Sequence, residues 1–217
     1  MDKNSFLLPT FALNVGITGH RTLPANEVIN IENIIIRILE YIKNISDKLL
    51  KETPPNYSNP LHVYRMISPI AEGADRIAAN AALKCNYKLF CPLPFRKSEY
   101  EKDFIAKQSK DEFHYLLSKA ESILEIAGDS QNRNEAYLAV GEYIIQNSDI
   151  LLSVWDGKSD DNIGGTGDIT QKAIEQNIPV VWINIILPNE IRIIERNQEF
   201  TFQETKLKEI LSRHIIK

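Results

Sequence analysis

A chain of 217 residues, 43% hydrophobic and 25% charged, has room for one sizeable α/β domain and lacks the bias of disordered, collagenous or coiled-coil proteins. Its net charge of −4 disfavours bulk nucleic-acid binding without excluding a local basic pocket. Cys85 and Cys91 form neither a disulfide framework nor a zinc spacing, the N-terminus lacks a signal peptide's basic and apolar regions, and no run approaches the roughly 18 apolar residues of a membrane span. A cytoplasmic protein with no metal site, no cofactor and no membrane contact is therefore expected. No repeat, low-complexity tract or linker interrupts residues 1–217, which read as a single domain with a core over 11–184 and a hairpin and helix extension over 185–217.

Phe11 to Ile17 reads as the first strand, ending in Thr18-Gly19-His20-Arg21. Gly16-x-x-Gly19 is neither a Walker loop nor a full dinucleotide fingerprint, yet it ends the first strand of an α/β chain. There it adds a hydroxyl, an imidazole and a guanidinium suited to phosphate or ribose oxygens. A solvated turn is the plain alternative. Next, Val28, Ile31, Ile34, Ile35, Ile38, Leu39, Ile42, Ile45 and Leu49 recur at helical spacing and mark a packing stripe, which Pro54 and Pro55 stop. Leu61 to Ser68 is the second strand. It leads through Glu72 and Gly73 into a helix whose Ala74, Ala78, Ala81 and Ala82 allow close approach to the sheet, while Arg76 reads as a surface partner of Asp75 or Glu72.

Tyr87 to Cys91 forms a third strand, closed by Pro92-Leu-Pro94-Phe95, and the charge-rich Arg96 to Lys119 predicts one or two helices flanking the sheet. Ser122 to Ala127 is a fourth strand with the loop Gly128 to Glu135 behind it, followed by a helix through Ala136, Val140 and Ile144. Ile150 to Trp155 is a short apolar run suited to a strand buried on both faces. Behind it, Asp156 and Gly157 open a polar stretch that ends in Gly164-Gly165-Thr166-Gly167-Asp168. The three glycines there can take positive φ and leave N–H groups unshielded, and Asp168 is placed to cap the next helix. Such a nest at a helix N-terminus attracts anions, although a bare turn has the same spelling. Ile178 to Asn184 is the sixth strand, Ile191 to Ile194 and Glu199 to Phe202 a short hairpin, and Leu207, Ile210, Leu211 and Ile215 line a last helix.

Six alternations of strand and helix predict an α/β, Rossmann-like three-layer fold: a mostly parallel sheet of about six strands with helices on both faces. Ligands of such sheets bind beyond the carboxyl ends of the strands. The loops at Gly19, Gly73, Asp129 and Gly165 are thus expected to converge on one cleft.

Four motifs together resemble the SLOG superfamily: Val15-Gly-Ile-Thr-Gly-His-Arg21, Ala71-Glu-Gly-Ala-Asp-Arg76, Pro92-Leu-Pro-Phe95 with Tyr100 and Asp103-Phe104, and Ser148-Asp149 through Trp155-Asp-Gly157 to Gly164-Gly-Thr166. The superfamily includes the "lonely guy" phosphoribohydrolases, the DNA-processing protein Smf and ligand-sensing domains of bacterial anti-phage systems. The resemblance implies a nucleotide or nucleotide-derived ligand held by the glycine-rich loop, in stress or anti-phage signalling. It implies phosphate at Gly164, Gly165 and Thr166, a pocket wall from Thr18, Gly19 and His20, and a ribose hydroxyl on Glu72 or Asp156, with Gly16, Arg21, Gly73, Gly157, Gly167 and Asp168 among the binding residues. A homo-oligomer and an effector protein complete the expected partners.

The chain also departs from the family. The phosphoribohydrolases carry Pro-Gly-Gly-x-Gly-Thr-x-x-Glu, and its glutamate position falls on Gln171 or, in the other register, on Ile169. A binding module is therefore the first reading. An N-glycoside hydrolase using Asp168 or Glu72, with Asp156 or Glu135 as substitutes, is the second, and a protein-interaction scaffold the third.

Overall fold

The structure is a computed structural model and describes residues 8–52, 57, 62–158 and 163–215. Pro54, Pro55 and Leu61 lie outside the described residues, as does 159–162 of the polar stretch after the fifth strand. The chain runs β1 (Phe11–Gly19), α1 (Val28–Glu52), β2 (His62–Ile67), α2 (Ala74–Lys84), β3 (Lys88–Leu93), α3 (Lys97–Tyr100), a 3-10 turn, α4 (Lys107–Lys119) and β4 (Ala120–Glu125). It continues through α5 (Arg133–Gln146), β5 (Ile150–Trp155), α6 (Thr166–Glu175), β6 (Val180–Asn184), β7 (Ile191–Glu195), β8 (Gln198–Thr201) and α7 (Glu204–Ile215).

The sheet order is β4-β3-β2-β1-β5-β6-β7-β8. The first six of these strands in chain order are parallel. From β1 the chain builds outward to β4 on one side, then returns to lay β5 against the other flank of β1, so the winding direction reverses between β1 and β5. At such a switch point the two crossovers part above the strand ends and leave a crevice. The register Thr18↔Ser153 and Gly19↔Val154 puts the ends of β1 and β5 side by side at its floor. That register is pinned lower down, where the Asn14 and Asp149 backbones pair at 2.9 Å and the Asn14 N–H donates to Asp149 Oδ2 at 2.8 Å.

Alternation along the strands feeds two apolar layers. Leu13, Val15 and Ile17 of β1, with Ile150, Leu152 and Val154 of β5, join the buried stripe of α1 and the alanines of α2. Leu151, Ile67 and Val180 point the other way, onto Val140, Ile144 and Ile145 of α5 and Ile169 and Ala173 of α6. Helices therefore cover both faces, as strands buried on both sides require.

The sheet has eight strands where about six were expected. The difference is the hairpin, which does not stand apart: β7 pairs antiparallel with β6 through Val180↔Ile194 to Ile183↔Ile191, and β8 follows. A bare β6 edge would leave a row of backbone donors and acceptors open, and β7 covers it while burying Ile193. Arg76 is not at the surface. It is 3% exposed, with Nε donating to Ile70 O at 3.1 Å and its guanidinium 4.4 Å from the Phe104 ring centre.

Candidate functional site

The end of β1 is tied directly to α2. His20 N–H donates to Val154 O, and Ala74 N–H to His20 O, at 3.0 and 3.1 Å. Gly19 has no room for a side chain, since an added Cβ would lie 2.4 Å from Ala74 Cβ. Gly73 takes φ +82 with the His20 and Arg21 carbonyls against it, where a Cβ would come within 2.5 Å of both oxygens. Glycine is required at both places so that two strand-to-helix loops can lie in contact. The His20 ring crosses to the next loop, Nε2 standing 3.3 Å from Asp156 Oδ1. Burial opposes ionisation of Asp156, but the Lys158 N–H and His20 hold its carboxyl below its usual range.

On the far side, α6 starts at Thr166 with Gly165 as its extended N-cap at φ −75. Of the three loop glycines only Gly164 takes positive φ, +74, wedged against the backbone of Leu138 and Asn134 in α5. The expected capping by Asp168 is corrected by the structure. Asp168 lies inside the first turn and reaches back, its Oδ2 accepting the Gly164 N–H at 2.9 Å. It thereby fixes the loop instead of starting the helix. Gly167 is a buried residue of that turn. Thr170 anchors α6 over β5, its Oγ1 2.7 Å from both Ser153 Oγ and Thr166 O. The first intrahelical bond shown is Ile169 N–H to Gly165 O, so the preceding N–H groups face the crevice end of the helix without an intrahelical acceptor.

Between these two walls lies a cleft of about 310 Å³. Seven of the residues expected at a site line it: Thr18, Gly19, His20, Arg21, Gly164, Gly165 and Thr166. The others do not. Gly16 is beneath the floor, where a Cβ would lie 2.3 Å from Ser148 Oγ, and Gly73 is behind the β1 end. Glu72 is turned to α4 and accepts a hydrogen bond from the Ser109 hydroxyl. Asp156 is engaged by His20, Gly157 packs on Trp182, and Gly167 and Asp168 belong to the turn behind the loop. Gln171 bonds Glu175 at 3.1 Å on the exposed side of α6, while Ile169 presents an apolar side chain to the cleft. The Asp129 loop, expected to converge on the cleft, does not line it; its exposed carboxylate accepts the Gln131 N–H at 2.8 Å.

The structure adds residues that pattern reading passed over. Asn134, Tyr137 and Val140 of α5 form one wall, and Tyr100 and Asp75 lie deeper. Arg21 stands 5.1 Å from the Tyr137 ring centre and 3.8 Å from Asp103 Oδ2, and Asp103 also takes the Tyr137 hydroxyl and Arg133. That network holds a cation at the mouth on a rigid mount. Asp75 is 6% exposed, and burial pushes its carboxyl up to about 7 despite Arg21, an Ala71 backbone hydrogen bond and Arg76. A signal for its burial existed in the sequence: Asp75, Ala79 and Ala82 fall on one i, i+4, i+7 stripe, and both alanines are fully buried.

No protein-family model and no curated protein matches the chain. Solved structures do match. DNA processing protein A (DprA) from Streptococcus pneumoniae aligns at 15% identity and a TM-score of 0.49, over 81% of this chain and 50% of that one. DprA from Helicobacter pylori aligns at 19% and 0.45, over 78% and 64%, and the structural-genomics target TM1055 at 13% and 0.42, over 77% and 72%. The fold is of the Rossmann-like α/β class, with a mostly parallel sheet. The chain spans half the length of the S. pneumoniae protein, and at these identities the likeness concerns the fold alone.

One expectation is overturned at this point. The exclusion of nucleic acid from net charge is withdrawn: H. pylori DprA, one of the structures that align, is described by its single-stranded DNA binding mode. The physical reason is that a charge of −4 sums over the whole surface, whereas binding depends on what is local. Here Arg21 and the α6 N-terminus meet at one cleft. The similar structures give no support to the companion expectations of a small-molecule partner and a homo-oligomer. Among the described residues no helix is long and apolar enough to cross a membrane.

Proposed function

We propose that the chain is a binding module for a nucleoside phosphate unit, free or as part of a single strand, with phosphate at Gly164–Thr166 and the α6 N-terminus. The observation that supports it is the meeting of this glycine loop with Thr18, His20 and Arg21 across one cleft at the switch point. Helix N–H groups and a guanidinium both favour an anion, and they act from opposite walls. Tyr137, Val140 and Ile169 supply an apolar flank for a base. Binding is favoured over N-glycoside hydrolysis because the two carboxylates placed first for that chemistry are engaged elsewhere, Glu72 by Ser109 and Asp168 by Gly164, and Asp156 is paired with His20.

A thermal-shift comparison of wild type and Gly165→Val tests this, using inorganic phosphate, nucleoside monophosphates, cyclic dinucleotides, ADP-ribose and a single-stranded oligonucleotide. A ligand at 100 times its dissociation constant should stabilise wild type by about 2.7 kcal/mol. The valine is expected to abolish this shift while the protein stays folded, because Gly165 lines the cleft and its φ of −75 suits any residue. Equal binding by the variant removes the phosphate from this loop. Binding of none of these probes by wild type favours a protein-interaction scaffold.

A further inference from the structure

Among the described residues, four buried side chains carry a polar atom with no hydrogen-bond partner: Asn14, Ser46, Arg76 and Asp75. Only Asp75 also lines the cleft. Its carboxyl is held by an Ala71 backbone hydrogen bond, while Oδ1 is left without a donor. The residue has little freedom to turn away. It sits in the first turn of α2, whose Gly73 and Ala74 are sutured to the His20 and Arg21 backbones, and Tyr100 of α3, 1% exposed, lines the same cleft. Structures rarely leave a buried acceptor unsatisfied, and Asp75, which lines the cleft, lacks a donor that a ligand seated there can bring.

We propose that Asp75 reads the nucleoside of the unit whose phosphate is anchored at α6: its Oδ1 accepts a hydrogen bond from a sugar hydroxyl or a base amino group. The inference rests on the binding reading above and adds the group that confers selectivity. The division of labour follows from position. Arg21, with its side chain 44% exposed at the mouth, attracts any phosphate, whereas Asp75 lies below it where water is excluded and a missing donor cannot be replaced. A carboxyl lifted to about 7 by burial ionises near neutral pH, and a donor delivered to Oδ1 favours the ionised form.

The test compares adenosine 5′-monophosphate, its 2′,3′-dideoxy analogue, inosine 5′-monophosphate and inorganic phosphate by titration calorimetry on wild type, Asp75→Asn and Asp75→Ala. The dideoxy analogue lacks the sugar donors and inosine lacks the base amino group, but every nucleotide keeps the phosphate. Wild type should prefer adenosine monophosphate about tenfold or more over one of the two analogues, and which one tells sugar from base. In Asp75→Ala that preference should fall to about twofold or less, and in the isosteric Asp75→Asn to an intermediate value, with inorganic phosphate bound at least as tightly as by wild type. A preference that survives both substitutions while phosphate binding is kept overturns the assignment of Asp75 alone. So does the absence of any preference in wild type. Failure of wild type to bind inorganic phosphate or any nucleotide overturns it together with the phosphate anchor.

Discussion

Gly164 and Gly165 are neighbours under opposite constraints. Gly164 holds φ +74, and an added Cβ would stand 2.5 Å from Leu138 N, so Gly164→Ala both strains the turn and pushes on α5. The expected cost is about 1–3 kcal/mol, read from the urea midpoint at unchanged m-value. Gly165→Ala has a compatible φ, and should stay within about 1 kcal/mol of wild type. Equal losses at the two positions would contradict this loop geometry. Asp75 gives a pH prediction. Its folded value of about 7 lies above the usual 3.8, so its contribution to stability is full below the unfolded value and is lost as pH rises through the folded one. Asp75→Asn cannot titrate. Relative to that variant, wild type should lose stability between about pH 4 and pH 7, with about 4 kcal/mol as the ceiling. Melting curves showing a constant difference across this range would mean that Asp75 is ionised throughout.

Elements differ in how much of their surface they must hide. In α1, Ile38 is 1% exposed and Ile29 73% exposed, on one helix with the same side chain. Ile38→Ala should cost about 2–5 kcal/mol through lost burial and the cavity left behind, whereas Ile29→Ala should be close to neutral. Denaturant titration of the two variants checks the contrast, and similar losses would contradict the orientation of α1. The charge-rich stretch behind β3 is the opposite case. Its helices look solvated by composition, yet Tyr100, Phe104 and Phe113 are buried together, with Tyr100 and Phe104 ring centres 5.1 Å apart. That cluster, with Arg76 held between Ser109, Glu112 and the Phe104 ring, ties α4 to α2.

For the whole molecule, the hairpin and last helix complete both the sheet and the layer above it. β7 covers the β6 edge, while α7 buries Leu207, Ile210 and Leu211 beside α1, with Phe202 6.3 Å from Tyr41. Removal of residues 185–217 should therefore expose an apolar flank of α1 and an unpaired β6 edge together. The truncated chain is expected to lose cooperative unfolding and to aggregate, measured by denaturant titration and light scattering. A truncation that unfolds as sharply as wild type would show that 11–184 is self-sufficient.

The sequence by itself determined the elements and their order. The stripe of α1, the buried run of β5 and the strand-to-helix alternation are local periodicities, each dictated by which face must leave water. Those signals also brought Thr18–Arg21 and Gly164–Thr166 to one edge of the sheet, because parallel crossovers return every loop to the same side. Tertiary structure alone decided which polar groups are free. Glu72 and Asp168 looked available but are engaged by Ser109 and Gly164, while Asp75, which looked like a surface partner of Arg76, lies buried with an open acceptor. The same limit hid the pairing of β7 with β6 and the meeting of Tyr100 and Asp75 at one cleft. Periodicity reports which side of an element is buried, but a polar atom's partner, and with it its charge state, is set by residues far away in the chain.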